Sequence, residues 1–560
     1  QVRGPSGPER WSNSICGLCP AGCGLRVRTI GERAVSIQGN PLHPVNQGGL
    51  CPKGMAGLQD HYHPDRLQKP LRNTGTRASP RWQETSWEEA QALLLERLRK
   101  LRDDGQAHTV VLVNREHRGL RSRLWRRFLA AYGSPNVLVP PSGLDALQAA
   151  VFLQQGVQRP VAFDFENTRY LLSFGVNVLE GWGSPTSIMR AFGRWRDSAA
   201  GRRTKFVQAE SRFSPTAAKA DEWVAIRPGT EATLALGLAY ALITEGLYNA
   251  AFVKDKTFGF EDWKDSEGKS HLGFRSLVMN EYRLNRVAET TGIPGETILR
   301  LAREFAQNQP GIALGDRQTS SLAGNPRAAM AVHSLNALMG SIDVRGGVLI
   351  QAESGDDEAE SDDKGLRPRL GQTPERIVPG FRLAHLPQAI LSRQPHPVNA
   401  LLLHETNPVF SQPNGEAFRK AFQQVPFIAS WSAFLDESSS VADLVLPIPS
   451  TLERWQDAES PPGFPYALLA IAPPVIPVRH GIRDSADMVL QLAAGLEGET
   501  QAALPFENVE AYLNHRVDRL FAAQRGSVFA PRVEQLWDRL LEASGWWSPL
   551  VNLCASAHGP

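Results

Sequence analysis

The stretch SICGLCPAGCGLRV, Ser14 to Val27, packs three of the chain's five cysteines into eight residues of a 560-residue sequence. With Cys51 they give the spacing C-x2-C-x3-C-x27-C, while five cysteines in so long a chain are too few for a disulfide framework. Three thiols from one tight turn and a fourth from a later loop can converge on one centre, as a cubane or a tetrahedral metal requires. Zinc competes, since C-x2-C opens many zinc sites, but those usually close with a second C-x2-C or a His pair. The x3 step, with Pro20, Gly22 and Gly24, suits a loop wrapped round a larger cluster. A [4Fe–4S] cluster on Cys16, Cys19, Cys23 and Cys51 is therefore favoured over zinc, and over buried free thiols packing as small hydrophobes. Cys554 has no partner in this spacing and is read as a bystander.

Composition excludes some functions. Lys and Arg number 60 against 58 Asp and Glu, a net charge of +2, so neither nucleic acid nor an anionic membrane surface is called for. The 42% hydrophobic and 21% charged content is that of a globular protein, and 560 residues exceed what one hydrophobic core supports, so several domains are expected. The longest apolar run, Ala232 to Ile243, is too short to cross a bilayer and reads as a buried helix. The chain is expected not to span a membrane itself. Ala352 to Gly365 is dense in acid and reads as a solvated loop.

Strand and helix signals alternate along the rest. TSWEEAQALLLERLRKLRDD predicts a helix capped at Thr85 or Ser86, followed by the buried strand HTVVLVN. RYLLSFGVNVLEG predicts a second buried strand ending at Gly175 and Asn177, and the segment from Thr204 to Leu247 predicts strand, loop, strand, loop, helix. In open parallel sheets a ligand lies outside the carboxyl ends of the strands, which directs attention to those loops.

Past Cys51 the sequence reads CPKGMAGLQDHYHPDRL, with Lys53 two residues beyond the fourth cysteine. Here the chain resembles the molybdopterin oxidoreductase family, which includes the catalytic subunits of dimethyl sulfoxide reductase and polysulfide reductase. The resemblance implies a [4Fe–4S] cluster on the four cysteines and an electron-relay role for Lys53. It extends through ESRFSPTAAKAD and IRPGTE, which imply contacts to a pterin guanine dinucleotide by Arg212, Ser214, Thr216, Pro228, Gly229, Thr230 and Glu231. Gly175 and Asn177 join that set. The chemistry is sensible, since Gly229 lets backbone approach a ligand and Glu231 could accept guanine N–H groups; a helix-capping turn with Thr230 as cap explains the same residues. Further matches fall at Arg345 to Gly347, at Asn407 and Pro408, with Asn407 as a cofactor contact, and at Glu437, Asp443 and Glu453.

The implied fold class is α/β: an N-terminal iron–sulfur domain (1–70) followed by two interleaved Rossmann-like domains, 71–135 with 310–495 and 136–309 inserted. A helical extension, 496–560, follows, and the family's C-terminal β-barrel-like domain is expected to be absent. A second departure lies in YGSPNVLVPPSGLDALQAA, where Leu144 stands at the offset of the family's molybdenum ligand. Ser142 or Asp145 could serve if the loop shifts; no cysteine is near.

Both departures weaken molybdenum chemistry. They imply an electron-transfer subunit of a membrane-associated, quinone-linked respiratory complex, holding the [4Fe–4S] cluster beside a degenerate or empty pterin pocket. The alternative is an active bis-molybdopterin guanine dinucleotide oxidoreductase with molybdenum or tungsten. As an enzyme the chain is thus read only as an oxidoreductase component. By the same resemblance its partners are a multi-cluster ferredoxin-like subunit and an integral membrane quinone-binding subunit. Its place is the periplasm or outer face of the cytoplasmic membrane, with a signal peptide removed ahead of Gln1.

Overall fold

The structure is a computed structural model that describes residues 6–115, 118–197, 203–316, 326–351, 354, 375–378 and 383–548. The acidic run predicted as a solvated loop lies, apart from residue 354, outside the described residues, as does Cys554. The chain divides into two units, one made of residues 1–141, 353–459 and 468–548, the other of 142–352 and 460–467.

The first unit opens with an antiparallel sheet of Glu9–Ile15, Gly24–Ile30 and Arg33–Gly39. Its main sheet has seven strands in the order Trp82–Glu84, Leu71–Asn73, Leu444–Leu446, Phe427–Trp431, Ala400–His404, Val110–Asn114, Val137–Leu138. The strands from Leu444–Leu446 to Val137–Leu138 run parallel, and Leu71–Asn73 is antiparallel to its neighbour. Every residue of Val110–Asn114, Ala400–His404 and Phe427–Trp431 is buried, as continuous Val, Leu and Ile runs predict for strands covered on both faces. The helix predicted after Ser86 spans Trp87–Asp103: the Ser86 hydroxyl accepts the Glu89 N–H and the Glu89 carboxylate accepts the Ser86 N–H, a capping box worth about 1 kcal/mol. Ala90, Leu94 and Leu98, four apart, form its buried stripe.

The second unit carries a four-stranded, all-parallel sheet in the order Glu222–Ala225, Lys205–Glu210, Tyr170–Phe174, Gly311–Leu314. Helix Glu231–Thr244 packs with Pro326–Met339 and Gly295–Gln307 in an apolar core that includes Tyr170, Leu172, Leu234, Leu238, Ile298 and Leu335. The buried helix read from Ala232 to Ile243 falls inside Glu231–Thr244.

The inserted domain was predicted to end at 309, yet Gly311–Leu314 pairs with Tyr170–Phe174 and residues through 352 stay in the second unit. The reason is non-local: that strand's partner lies about 140 positions earlier, and nothing in GIAL marks which of two parallel sheets it joins. The iron–sulfur segment is likewise not a unit of its own, because it shares the first unit with the seven-stranded sheet. Among the described residues, no helix is long and apolar enough to cross a membrane.

Candidate iron–sulfur and dinucleotide sites

The cysteine motif is a hairpin loop. Ile15 ends one strand and pairs with Gly24 at the start of the next, and the Cys16 N–H donates to the Cys23 carbonyl at 2.8 Å, closing the loop that carries Cys19. Gly22 sits at φ +56, and a Cβ there would meet Ala458 at 2.6 Å; a Cβ on Gly17 would meet the Thr451 side chain at 2.5 Å. Two glycines therefore let the loop lie flat against the 451–458 segment.

Cys51 arrives on a second loop as the residue capping the short helix Pro52–Met55. Buried Asn46 joins the two loops: its carbonyl accepts the Gly24 N–H at 2.9 Å, and its amide donates to the Gly24 carbonyl at 2.9 Å and the Gly49 carbonyl at 2.7 Å. Arg115 adds a third tie by donating to the Gly17 carbonyl at 2.9 Å.

The donor set fits an iron–sulfur cluster. Burial pushes the Cys16 thiol up to about 11; the Leu18 backbone N–H pulls the other way, and the smaller charge effects of Cys19 and Cys51 add to the rise while that of Arg115 opposes it. Cys16, Cys19 and Cys51 therefore lie near enough to feel one another's charge, as ligands of one cluster must. His43 is fully buried against Gly24, beside Cys23, and neither ring nitrogen meets hydrogen-bond geometry. Burial lowers it to about 4, so it is neutral at pH 7; Asn46 opposes this weakly, its carboxamide being already engaged by Gly24 and Gly49. Among the described residues no three His, Cys, Asp or Glu side chains are gathered to hold a metal ion. A cubane is held at its corners, so its four thiolates need not close to single-ion distance. Lys53 is exposed in the first turn of Pro52–Met55, two residues beyond Cys51, and no ion pair among the described residues includes it.

The second unit brings its predicted residues to adjacent strand exits. Gly175, at φ +68, follows Tyr170–Phe174 and donates to the Ala209 carbonyl at 2.9 Å. Asn177 lies in the same loop as Glu180, whose carboxylate accepts the Thr216 hydroxyl at 2.8 Å and lies 3.6 Å from exposed Arg212. Ser214 caps Pro215–Lys219 by accepting the Ala217 N–H at 3.0 Å. At the next exit Pro228 and Gly229, the latter at φ +78, turn the chain into Glu231–Thr244. Thr230 occupies the cap position, but its hydroxyl donates to the Arg227 carbonyl at 2.6 Å and does not cap.

Glu231 is 7% exposed, and no ion pair among the described residues includes it. Burial raises its carboxyl above the usual range against N–H groups of Gly229 and Glu231 itself. A buried acceptor without a cation suits the N1–H and amino group of guanine. Buried Ser184 and Gln208 also leave Oγ and Oε1 without partners at these exits. The second unit therefore fits a guanine dinucleotide.

Ser142 and Asp145, the two candidate metal ligands, are exposed and bonded to each other: the Ser142 hydroxyl donates to Asp145 Oδ1 at 2.6 Å and its N–H to Oδ2 at 2.9 Å, at the start of helix Asp145–Gln155. Asn407 lies just past strand Ala400–His404 of the seven-stranded sheet, at the N-cap of helix Pro408–Ser411, where its amide donates to Glu437 at 2.6 Å and its carbonyl accepts the Ser438 hydroxyl at 2.7 Å. Asp443 and Glu453 are likewise engaged, with Arg77 and Arg66.

Sequence reading missed Asn46, His43, Arg115, Glu405, Arg454, Trp182 and Asp316. The last two meet through Trp182 Nε1 and Asp316 Oδ2 at 2.5 Å. Only Asn46 and His43, inside NPLHPVNQGGLC, lay close enough to the cysteines to be suspected.

A model of the molybdopterin oxidoreductase family matches residues 66–457, and one of the molybdopterin oxidoreductase Fe4S4 domain matches residues 9–63. The chain belongs to the molybdopterin oxidoreductase family, whose cofactors are a [4Fe–4S] cluster and a molybdopterin, with molybdenum or tungsten as possible metals. It is 30% identical over 504 residues to the menaquinone reductase molybdopterin-binding-like subunit of Nitratidesulfovibrio vulgaris, covering 88% of this chain and 66% of that one. It is 27% identical to the thiosulfate reductase molybdopterin-containing subunit of Salmonella typhimurium, covering 83% and 62%. The chain thus spans just under two thirds of these relatives. Acetylene hydratase from Pelobacter acetylenicus shares the fold, with a TM-score of 0.75 at 21% identity over 96% of this chain and 74% of the other.

Proposed function

We propose that the chain is the iron–sulfur electron-transfer subunit of a membrane-associated, quinone-linked respiratory complex, with a degenerate pterin pocket that carries no molybdenum or tungsten. The observation that carries this reading is the 142–145 turn. Where the family resemblance places a metal ligand stands Leu144, and the two oxygen donors beside it, Ser142 and Asp145, are spent on each other in a helix-starting turn. The quinone link is supported by the N. vulgaris relative, a molybdopterin-binding-like subunit of menaquinone reductase.

In this reading one electron at a time passes through the cluster, and the hairpin, Asn46 and Arg115 fix and insulate it. Lys53 is the relay residue on its exposed side. The partners are a multi-cluster ferredoxin-like subunit and an integral membrane quinone-binding subunit, at the outer face of the cytoplasmic membrane. The second reading, an active molybdenum or tungsten oxidoreductase, is favoured by one observation, the buried Glu231 without a cation in the second unit. Metal analysis of the purified protein decides: iron without molybdenum or tungsten supports the first reading, and stoichiometric molybdenum or tungsten overturns it.

A further inference from the structure

The two parallel sheets each have one place where the chain's direction of travel across the sheet reverses. In the seven-stranded sheet it lies between Val110–Asn114, from which the chain moves on to Val137–Leu138, and Ala400–His404, from which it moves the other way to Phe427–Trp431 and Leu444–Leu446. In the four-stranded sheet it lies between Tyr170–Phe174, followed outward by Lys205–Glu210 and Glu222–Ala225, and Gly311–Leu314 on the other side. The crevice outside the carboxyl ends at such a point is where open α/β sheets take a dinucleotide.

The two crevices are lined oppositely. In the four-stranded sheet the residues leaving the paired strands are Gly175 and Gly315, neither with a side chain. In the seven-stranded sheet they are Arg115 and Glu405. Glu405 is held at φ +52, a left-handed conformation that favours glycine, and its carboxylate is bound by Arg454 at 2.6 and 3.2 Å and by Arg115 at 3.4 Å. His404 beside it is buried, with its ring nitrogens on Asn114 at 2.6 Å and Ser485 at 2.9 Å.

The following helices differ in the same sense. After Val110–Asn114, the N-terminus of Leu120–Tyr132 already faces an anion, because the Leu120 N–H donates to the Asp457 carboxylate at 2.8 Å and Asp457 pairs with buried Arg516 at 2.7 Å. After Tyr170–Phe174, helix Pro185–Arg196 begins at Ser184, whose buried hydroxyl caps nothing and has no partner. A helix N-terminus that holds its own carboxylate has no vacancy for a phosphate.

We propose that the crevice of the seven-stranded sheet is closed by the chain's own Arg115–Glu405–Arg454 cluster and Asp457, so that a guanine dinucleotide is held at the four-stranded sheet alone. This goes beyond the electron-transfer reading and does not depend on it, since it concerns how many dinucleotides the chain takes, with or without a metal. The first unit's residues do not fit the second dinucleotide of a bis-pterin site.

The test counts guanine. Purified full-length protein is equilibrated with excess GDP and washed, and total guanine released by acid is counted per chain, so that resident dinucleotide and added GDP both register. One guanine per chain is expected in the wild type, and none in E231A, with iron content showing that each variant folds. Exposed Arg212→Ala is expected to weaken uptake about tenfold, the loss of one charge-assisted contact. Two guanines or none in the wild type, retention of the guanine by E231A, or unchanged uptake by R212A overturns the proposal. Metal content is measured separately, so failure here and failure of the electron-transfer reading are told apart.

Discussion

Asn46 accepts the Gly24 N–H at 2.9 Å and returns its own amide to the Gly24 carbonyl at 2.9 Å, pairing with that backbone as a neighbouring strand would. Through this pair the Cys51 loop is fixed to the strand that begins beside Cys23. Asn46→Ala removes both bonds and a third to exposed Gly49; the Gly24 carbonyl keeps the Asn40 N–H, but the buried Gly24 N–H is left unpaired, a loss of about 1–3 kcal/mol. The expected outcome is a lower thermal midpoint together with reduced iron content and cluster absorbance. Full iron with unchanged stability would show that the loops hold without it.

Lys53 is exposed, so its replacement leaves the fold alone. Lys53→Gln is expected to keep stability within about 0.5 kcal/mol and iron content unchanged. It takes a positive charge from near the cluster, which disfavours the reduced form, and the potential should fall by roughly 20–50 mV in a redox titration. A potential that does not move removes Lys53 from the relay.

The 142–145 turn separates the two functional readings at the level of side chains. If Ser142 and Asp145 serve only each other, Ser142→Ala loses the exposed hydroxyl bonds to Asp145 and to the Leu144 N–H, costs about 1 kcal/mol and alters no metal content. Loss of bound molybdenum or tungsten in Ser142→Ala or Asp145→Ala would make one of them a ligand after all.

Glu459 is buried between Arg123, at 2.6 Å, and Arg516, at 3.1 Å. Burial alone would raise its carboxyl, but the two guanidiniums outweigh it and lower the carboxyl from 4.5 to about 2. Because the folded value lies below the unfolded one, the stabilisation, of order 3 kcal/mol, is complete above pH 4.5 and disappears as pH falls toward 2. The gap in thermal midpoint between wild type and Glu459→Gln should therefore be widest near pH 7 and close below pH 4.5. A gap independent of pH would place the cost in packing and not in the charge; cluster loss in acid is common to both proteins and cancels in the difference.

The cysteine centre was legible because its signal is local. Cys16, Cys19 and Cys23 sit on one hairpin, and only Cys51 had to be placed from elsewhere in the chain. The strand exits at Gly175 and Gly229 were legible for the same reason, a glycine closing an apolar run. Glu405, Arg454 and Arg115 were not, since they are ordinary charged residues in the sequence and meet only where strands nearly 300 positions apart, Val110–Asn114 and Ala400–His404, lie side by side. The placement of Gly311–Leu314 was missed on the same ground, because sheet membership is decided by a partner strand and not by the strand's own residues. Ser142 and Asp145 were found as oxygen donors near Leu144, but their bonds to each other belong to the helix start that the sequence had not marked.

The central claim is that the chain carries electrons through one iron–sulfur cluster and holds no molybdenum or tungsten. Elemental analysis of the purified full-length protein, with electron paramagnetic resonance of the reduced form, tests it most directly. The account predicts about four iron atoms per chain, a single [4Fe–4S] signal lost in Cys16→Ser, and neither molybdenum nor tungsten; stoichiometric molybdenum or tungsten, or zinc in place of iron, would contradict it.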